Sequence, residues 1–154
     1  MKLCAITLWG LLAGFMPPPV YQQAKLPNLS GTWKLNVARS SMPGGALDPN
    51  HSLQYIITQS ADKIVLEIVI DKDANRYEYV VDGNPRVSGV LPKTKFKITT
   101  RASWEKGELV LVSNSEDGTL SELTSRFTLS KDGKVLSVRK IAENLDGTLV
   151  FEKQ

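Results

Sequence analysis

Arg126 and Arg139 are the residues of this 154-residue chain best suited to hold an anionic group, because a guanidinium offers planar, paired donors to a carboxylate. Both fall in neighbouring segments near the C-terminus that alternate like strands, so either can point inward. Asp71-Lys72-Asp73-Ala74-Asn75 sets oxygen donors at alternate positions, as the opening of a calcium loop does. The sixth position is Arg76 where such a loop needs glycine, the twelfth is Asp82 rather than glutamate, and both flanks alternate as strands. The run therefore reads as an acidic hairpin. His51 is the sole histidine and Cys4 the sole cysteine, so neither can build a clustered metal site, and no cofactor is expected. His51 follows a loop and is expected to be exposed. There is no phosphate loop, no nucleophile elbow and no histidine beside a plausible acid, so the chain is not expected to be an enzyme.

Charge adds little. A formal net charge of +3 without a basic run gives no nucleic-acid footprint. Lys93, Lys95, Lys97 and Arg101 form a short basic stripe, read as the solvated face of one strand, which also discourages edge pairing.

The elements that must position these residues are strands. From Ser30 onward the apolar period is two: Leu53, Tyr55 and Ile57; Ile64, Leu66, Ile68 and Ile70; Tyr77, Tyr79 and Val81; Phe96, Ile98, Thr100 and Ala102. Asp82-Gly83, Lys106-Gly107, Asp117-Gly118, Asp132-Gly133 and Asp146-Gly147 punctuate the runs as tight turns. Ten strands are expected, at about 30–37, 52–59, 63–70, 75–82, 86–91, 94–103, 108–115, 119–129, 134–143 and 147–153. The fifth is the weakest, bracketed by Pro85 and Pro92 and interrupted by Gly89. Connections are short except for Ala38–Asn50, which implies an up-and-down order. The expected fold is all-β, a single antiparallel barrel of 8–10 strands that hides its apolar faces and edges by closing on itself, without a helical lid.

The first segment reads as an address. Lys2, an apolar run from Leu3 to Met16 and Pro17-Pro18-Pro19 match a secretory signal peptide, with cleavage expected after Ala24. The run is too short to span a bilayer. Phe15 stands where a lipobox would need cysteine, so no lipid is expected. Residues 1–24 are thus the export signal and residues 25–154 one domain. Without Cys4 that domain has no cysteine, so its stability must come from apolar burial.

Asn28-Leu29-Ser30-Gly31-Thr32-Trp33-Lys34-Leu35 resembles the opening of the calycins, the superfamily of lipocalins and fatty-acid-binding proteins. Thr148-Leu149-Val150-Phe151-Glu152-Lys153 is similar to the terminal strand of the fatty-acid-binding branch. The stretch from Leu29 to Gln154 also resembles secreted bacterial proteins of unassigned function. They share the Ser-Gly-Thr-Trp-Lys-Leu-Asn start, the Ser-Lys-Asp-Gly-Lys turn at Ser130–Lys134 and the finish at Phe151–Gln154. The resemblance implies that Trp33 is a structural plug at the closed end, where the family packs it beneath an arginine from the last strand. That strand has no arginine, and Leu149 stands where the fatty-acid clamp would have one, so recognition of that kind is not implied.

The inner-face residues Tyr55, Ile57, Ile68, Tyr79, Ile98, Leu111, Phe127 and Val138 are expected either to line an apolar pocket or to pack the barrel solid, with Arg126 the candidate for an anionic ligand group. The leading expectation is an exported, non-catalytic, monomeric protein that holds a small apolar or amphipathic molecule. The alternative is a solid-core module that meets an envelope protein, for example as a protease inhibitor entering a cleft with a free Lys25–Leu29 stretch.

Overall fold

The computed structural model describes residues 25–43, 47–91, 93–118 and 121–154; the expected export segment lies outside them. Ten strands follow in chain order: β1 (Gly31–Leu35), β2 (Leu53–Gln59), β3 (Lys63–Ile70), β4 (Asp73–Val80), β5 (Pro85–Val90), β6 (Lys97–Glu105), β7 (Glu108–Ser115), β8 (Leu123–Leu129), β9 (Val135–Ala142) and β10 (Leu145–Lys153). They form one antiparallel sheet in the order β4-β3-β2-β1-β10-β9-β8-β7-β6-β5. Pairing of the first strand with the last, Trp33 opposite Lys153 and Leu35 opposite Phe151, curls the meander into a nearly closed barrel. Among the described residues there is no α-helix, and a 3-10 turn covers Val37–Arg39.

β4 and β5, the two ends of the sheet order, stand side by side without a shared ladder. Tyr77 covers this seam: a methyl group placed on Gly89 would lie 2.6 Å from its ring. The weak fifth strand of the sequence is thus an edge strand. It begins on Pro85, which has no amide to offer, and its register shifts between Val87 and Gly89.

The turns follow the local chemistry with one exception. Lys106 and Gly107 both take positive φ, 51° and 85°, in the two-residue link between β6 and β7, as the right-handed twist of a hairpin favours. The Asp146-Gly147 turn expected from the sequence does not exist. Glu143-Asn144 makes that turn, closing Ala142 against Leu145, and Gly147 lies within β10. The glycine is needed there for a different reason. A side chain would meet the Ser41 carbonyl oxygen at 2.8 Å and the Met42 sulfur at 2.5 Å, where the segment after β1 bridges Thr148 through two backbone hydrogen bonds of 2.8 and 2.6 Å.

One end of the barrel is sealed. Trp33 is fully buried, and its indole N–H donates to the Leu29 carbonyl at 2.9 Å. Gln59 holds the chain beneath it, accepting from Leu29 N–H at 2.8 Å and donating to the Pro27 carbonyl at 3.0 Å. Pro27–Leu29 is therefore built into the seal and is not a free arm. Lys153 of the last strand supplies the cation over the indole, its Nζ 5.3 Å from the ring centroid. Above the seal Ile57, Ile64, Leu136, Val138 and Phe151 are packed without solvent access worth naming.

Candidate functional site

The barrel interior is not filled along its whole length. A cavity of about 120 Å³ lies beyond the packed floor, lined by residues of β2, β3, β4, β6, β7, β8 and β9. Its position follows from ladder parity. Tyr55 lies opposite Ile68 on β2–β3, Leu111 opposite Ser125 on β7–β8, and Ser125 opposite Lys140 on β8–β9. Directly opposed residues share a face of the sheet, so all of these turn inward together.

Of the inner residues expected from the sequence, Tyr55, Ile68, Tyr79, Ile98, Leu111 and Phe127 line the cavity. Ile57 and Val138 do not; they belong to the packed floor, directly opposite the lining residues Leu66 and Phe127. The Tyr55 ring stacks on Phe151 at 4.3 Å and leans toward Phe127 at 6.4 Å between centroids, which makes one wall aromatic. Burial drives the phenols of Tyr55 and Tyr79 far above the ordinary tyrosine range, so both remain neutral hydroxyls.

Arg126 is not in the cavity. Its neighbour Phe127 faces inward, so period two turns Arg126 out, where its Nη1 pairs with Glu105 at 3.1 Å and Glu108 at 3.4 Å. Arg139 is likewise external, held by Asp146 through two hydrogen bonds of 2.9 and 2.7 Å. The inward cation is Lys140, which sequence reasoning missed. The signal was present: Leu136 and Val138 alternate inward on β9, and the next residue of that series is Lys140.

Lys140 Nζ lies 3.5 Å from Ser125 Oγ, and no carboxylate pairs with it among the described residues. Desolvation lowers its pKa from the ordinary lysine value. Beside it the wall is hydroxylic. Ser88 Oγ meets Thr100 Oγ1 at 2.8 Å, and Thr100 Oγ1 meets Ser113 Oγ at 2.8 Å. Ser88 also donates to the Ile98 carbonyl at 3.3 Å. Each hydroxyl has one proton, so with Ser88 committed the chain runs one way: Ser113 donates to Thr100, and Thr100 to Ser88. Ser113 then turns acceptor lone pairs to the cavity, while Lys140 offers donors. The cavity lining is mixed, with Lys140, Ser125 and Ser113 set among Tyr55, Ile68, Leu111 and Phe127.

At the rim, one ladder step beyond Tyr55 and Ile68, Leu53 and Ile70 join Leu35 and Leu47 around a recess of about 230 Å³. His51 stands on its edge, exposed as expected. Its Nδ1 lies 2.6 Å from Asp71, which turns the hairpin between β3 and β4, and its Nε2 lies 3.8 Å from Asp48. The hydrogen bond and charge of Asp71, helped by Asp48, raise the imidazole pKa above its ordinary value. No metal cluster occurs among the described residues.

The geometry has well-defined counterparts among solved structures. The crystal structure of apo Caenorhabditis elegans lipid binding protein 8 superposes with a TM-score of 0.66 at 14% identity, over 85% of this chain and 100% of that one. Human cRBP IV gives 0.60 at 17% identity, over 83% and 99%. A mutant of the fluorescent protein UnaG gives 0.61 at 15% identity, over 81% and 95%. No family model and no curated protein matches the sequence. The chain therefore has the calycin-type barrel fold, as its opening motif implied, and these neighbours establish the fold alone.

Proposed function

We propose that this protein is a non-catalytic binder of a small amphipathic molecule, held in the barrel with its polar end toward Lys140, Ser125 and Ser113. The observation that carries this reading is the mixed lining of the cavity, which sets a desolvated cation and hydroxyls among aromatic and aliphatic side chains. The likeness to a lipid binding protein supports an apolar guest. Burying about 200 Å² of apolar guest surface contributes on the order of 5 kcal/mol before ordering costs. Removal of the segment through Ala24 and export across a membrane belong to the same proposal, supported by Lys2, the Leu3–Met16 run and the three prolines. Intact mass of the protein secreted by its own host tests that part.

The binding test is native mass spectrometry of protein purified from the host, followed by thermal denaturation with the released compound. A co-purifying mass that raises the melting temperature supports the reading. Ligand-free protein that no lipid, aromatic acid or alcohol stabilises would end it. A second reading, a protein-interaction module, is favoured by the solid floor around Ile57, Leu136, Val138 and Phe151. It requires capture of a partner by an outer surface, unaffected when the cavity is filled by substitution.

A further inference from the structure

Lys140 combines three circumstances that surface lysines lack. It projects into a half-open, largely apolar recess of the barrel. No carboxylate answers its charge among the described residues, and its one hydrogen-bond partner, Ser125 Oγ, lies at 3.5 Å. The other polar groups that line the cavity, the hydroxyls of Tyr77, Tyr79, Ser113 and Ser125, carry no charge at neutral pH that would hold it as an ammonium. An amine so placed sheds its proton more readily than one in water, and the unprotonated amine is the nucleophile.

We propose that Lys140 captures small aldehydes or ketones entering the cavity as a reversible imine. The inference rests on the cavity being a ligand site and adds the chemical class of the ligand and the covalent partner. The Nζ lone pair forms a bond to the carbonyl carbon while the carbonyl π electrons move to oxygen. One N–H proton passes to that oxygen to give the carbinolamine, and Ser125 Oγ is placed to relay it. The second N–H proton leaves with the hydroxyl group as water, and the nitrogen lone pair completes the C=N bond. Amine and carbonyl go to imine and one water, so no oxidant or reductant takes part. The apolar residues Tyr55, Leu111 and Phe127 favour this outcome, because they receive the body of the guest, which then displaces the water that would reverse the step. Volume sets the size of the guest: an engineered apolar cavity of about 150 Å³ accommodates benzene, so one of similar scale suits a single-ring or short branched carbonyl compound.

The test uses benzaldehyde at equimolar ratio and neutral pH, with cyanoborohydride to fix the imine, then intact mass and peptide mapping. The expected result is one benzyl group per chain, on Lys140, with exposed lysines such as Lys72, Lys106 and Lys131 labelled roughly tenfold less. Lys140→Met, which keeps the length of the side chain, should lose the adduct. Benzyl alcohol, of the same shape without a carbonyl, should compete with labelling. Labelling spread evenly over exposed lysines, or unchanged in Lys140→Met, overturns the proposal. Should Lys140→Met fail to fold, Leu111→Trp provides the second arm, since filling the cavity must abolish the Lys140 adduct and leave surface labelling intact. Stabilisation by benzyl alcohol without any Lys140 adduct overturns imine capture and leaves the binding reading standing. Absence of both overturns the two together.

Discussion

Trp33 and Leu29 are joined across the sealed end of the barrel: the indole N–H donates to the Leu29 carbonyl at 2.9 Å, and both side chains are withdrawn from solvent. Trp33→Phe leaves that buried carbonyl without its donor and should lower stability by about 1–3 kcal/mol. Trp33→Ala adds a cavity and should cost about 3–5 kcal/mol. Urea unfolding monitored by far-ultraviolet circular dichroism measures both. Equal losses in the two variants would mean that the ring contributes nothing beyond its N–H.

The outward turn of Arg126 gives a control for any binding assay. Arg126→Gln breaks half-exposed pairs with Glu105 and Glu108 and should change stability by no more than about 1 kcal/mol, with ligand affinity unaltered. Leu111→Trp should abolish binding by occupying the cavity. Displacement of an apolar fluorophore reads both effects. A marked loss of affinity in Arg126→Gln would return the arginine to the ligand site.

Gly147→Ala should be destabilising by about 1–3 kcal/mol, although alanine has the better strand propensity, because its methyl group meets the Ser41 carbonyl and the Met42 sulfur. The amides of Ser41 and Thr148, which bridge at this point, should exchange faster with deuterium in the variant. Unchanged exchange there would show that the segment yields freely.

His51 and Asp71 set opposite limits to a pH window. The raised pKa of His51 means that its contribution is complete below the unfolded value of about 6.5 and is lost as pH rises through the folded value. The hydrogen bond from His51 lowers the pKa of Asp71, whose contribution is present above its unfolded value and is lost as pH falls through the folded one. The pair is therefore fully formed only between the lowered carboxylate pKa and the raised imidazole pKa. Titration of the imidazole signals by NMR should place His51 above about 6.5, falling back toward that value in Asp71→Asn. An imidazole indifferent to that substitution would exclude the pairing.

The barrel was legible because its determinants are local. Residues such as Tyr55, Ile68 and Phe127 declare their side of the sheet by alternation, and Lys106-Gly107 its turn by conformational preference. Two failures share another origin. Asp146-Gly147 looks like a turn, yet the glycine answers to Ser41 and Met42, about a hundred residues earlier, and no local pattern records that contact. Arg126 was misplaced by favouring its chemistry over its parity, since an inward Phe127 already required it to face out. The same parity applied to Val138 leads to Lys140. The hydroxyl row of Ser88, Thr100 and Ser113 depended on the register of three strands, which alternation within one strand does not supply.

The seam where β4 meets β5 has a mechanical consequence. Elsewhere in the described wall neighbouring strands are riveted by backbone ladders, so widening the barrel would require several amide bonds to part at once. Along this line Tyr77 resting on Gly89 is a van der Waals contact, and the ring is also part of the cavity lining. Widening the chamber along this line therefore requires one phenol to tilt and no ladder to part, so the circumference has a built-in expansion joint.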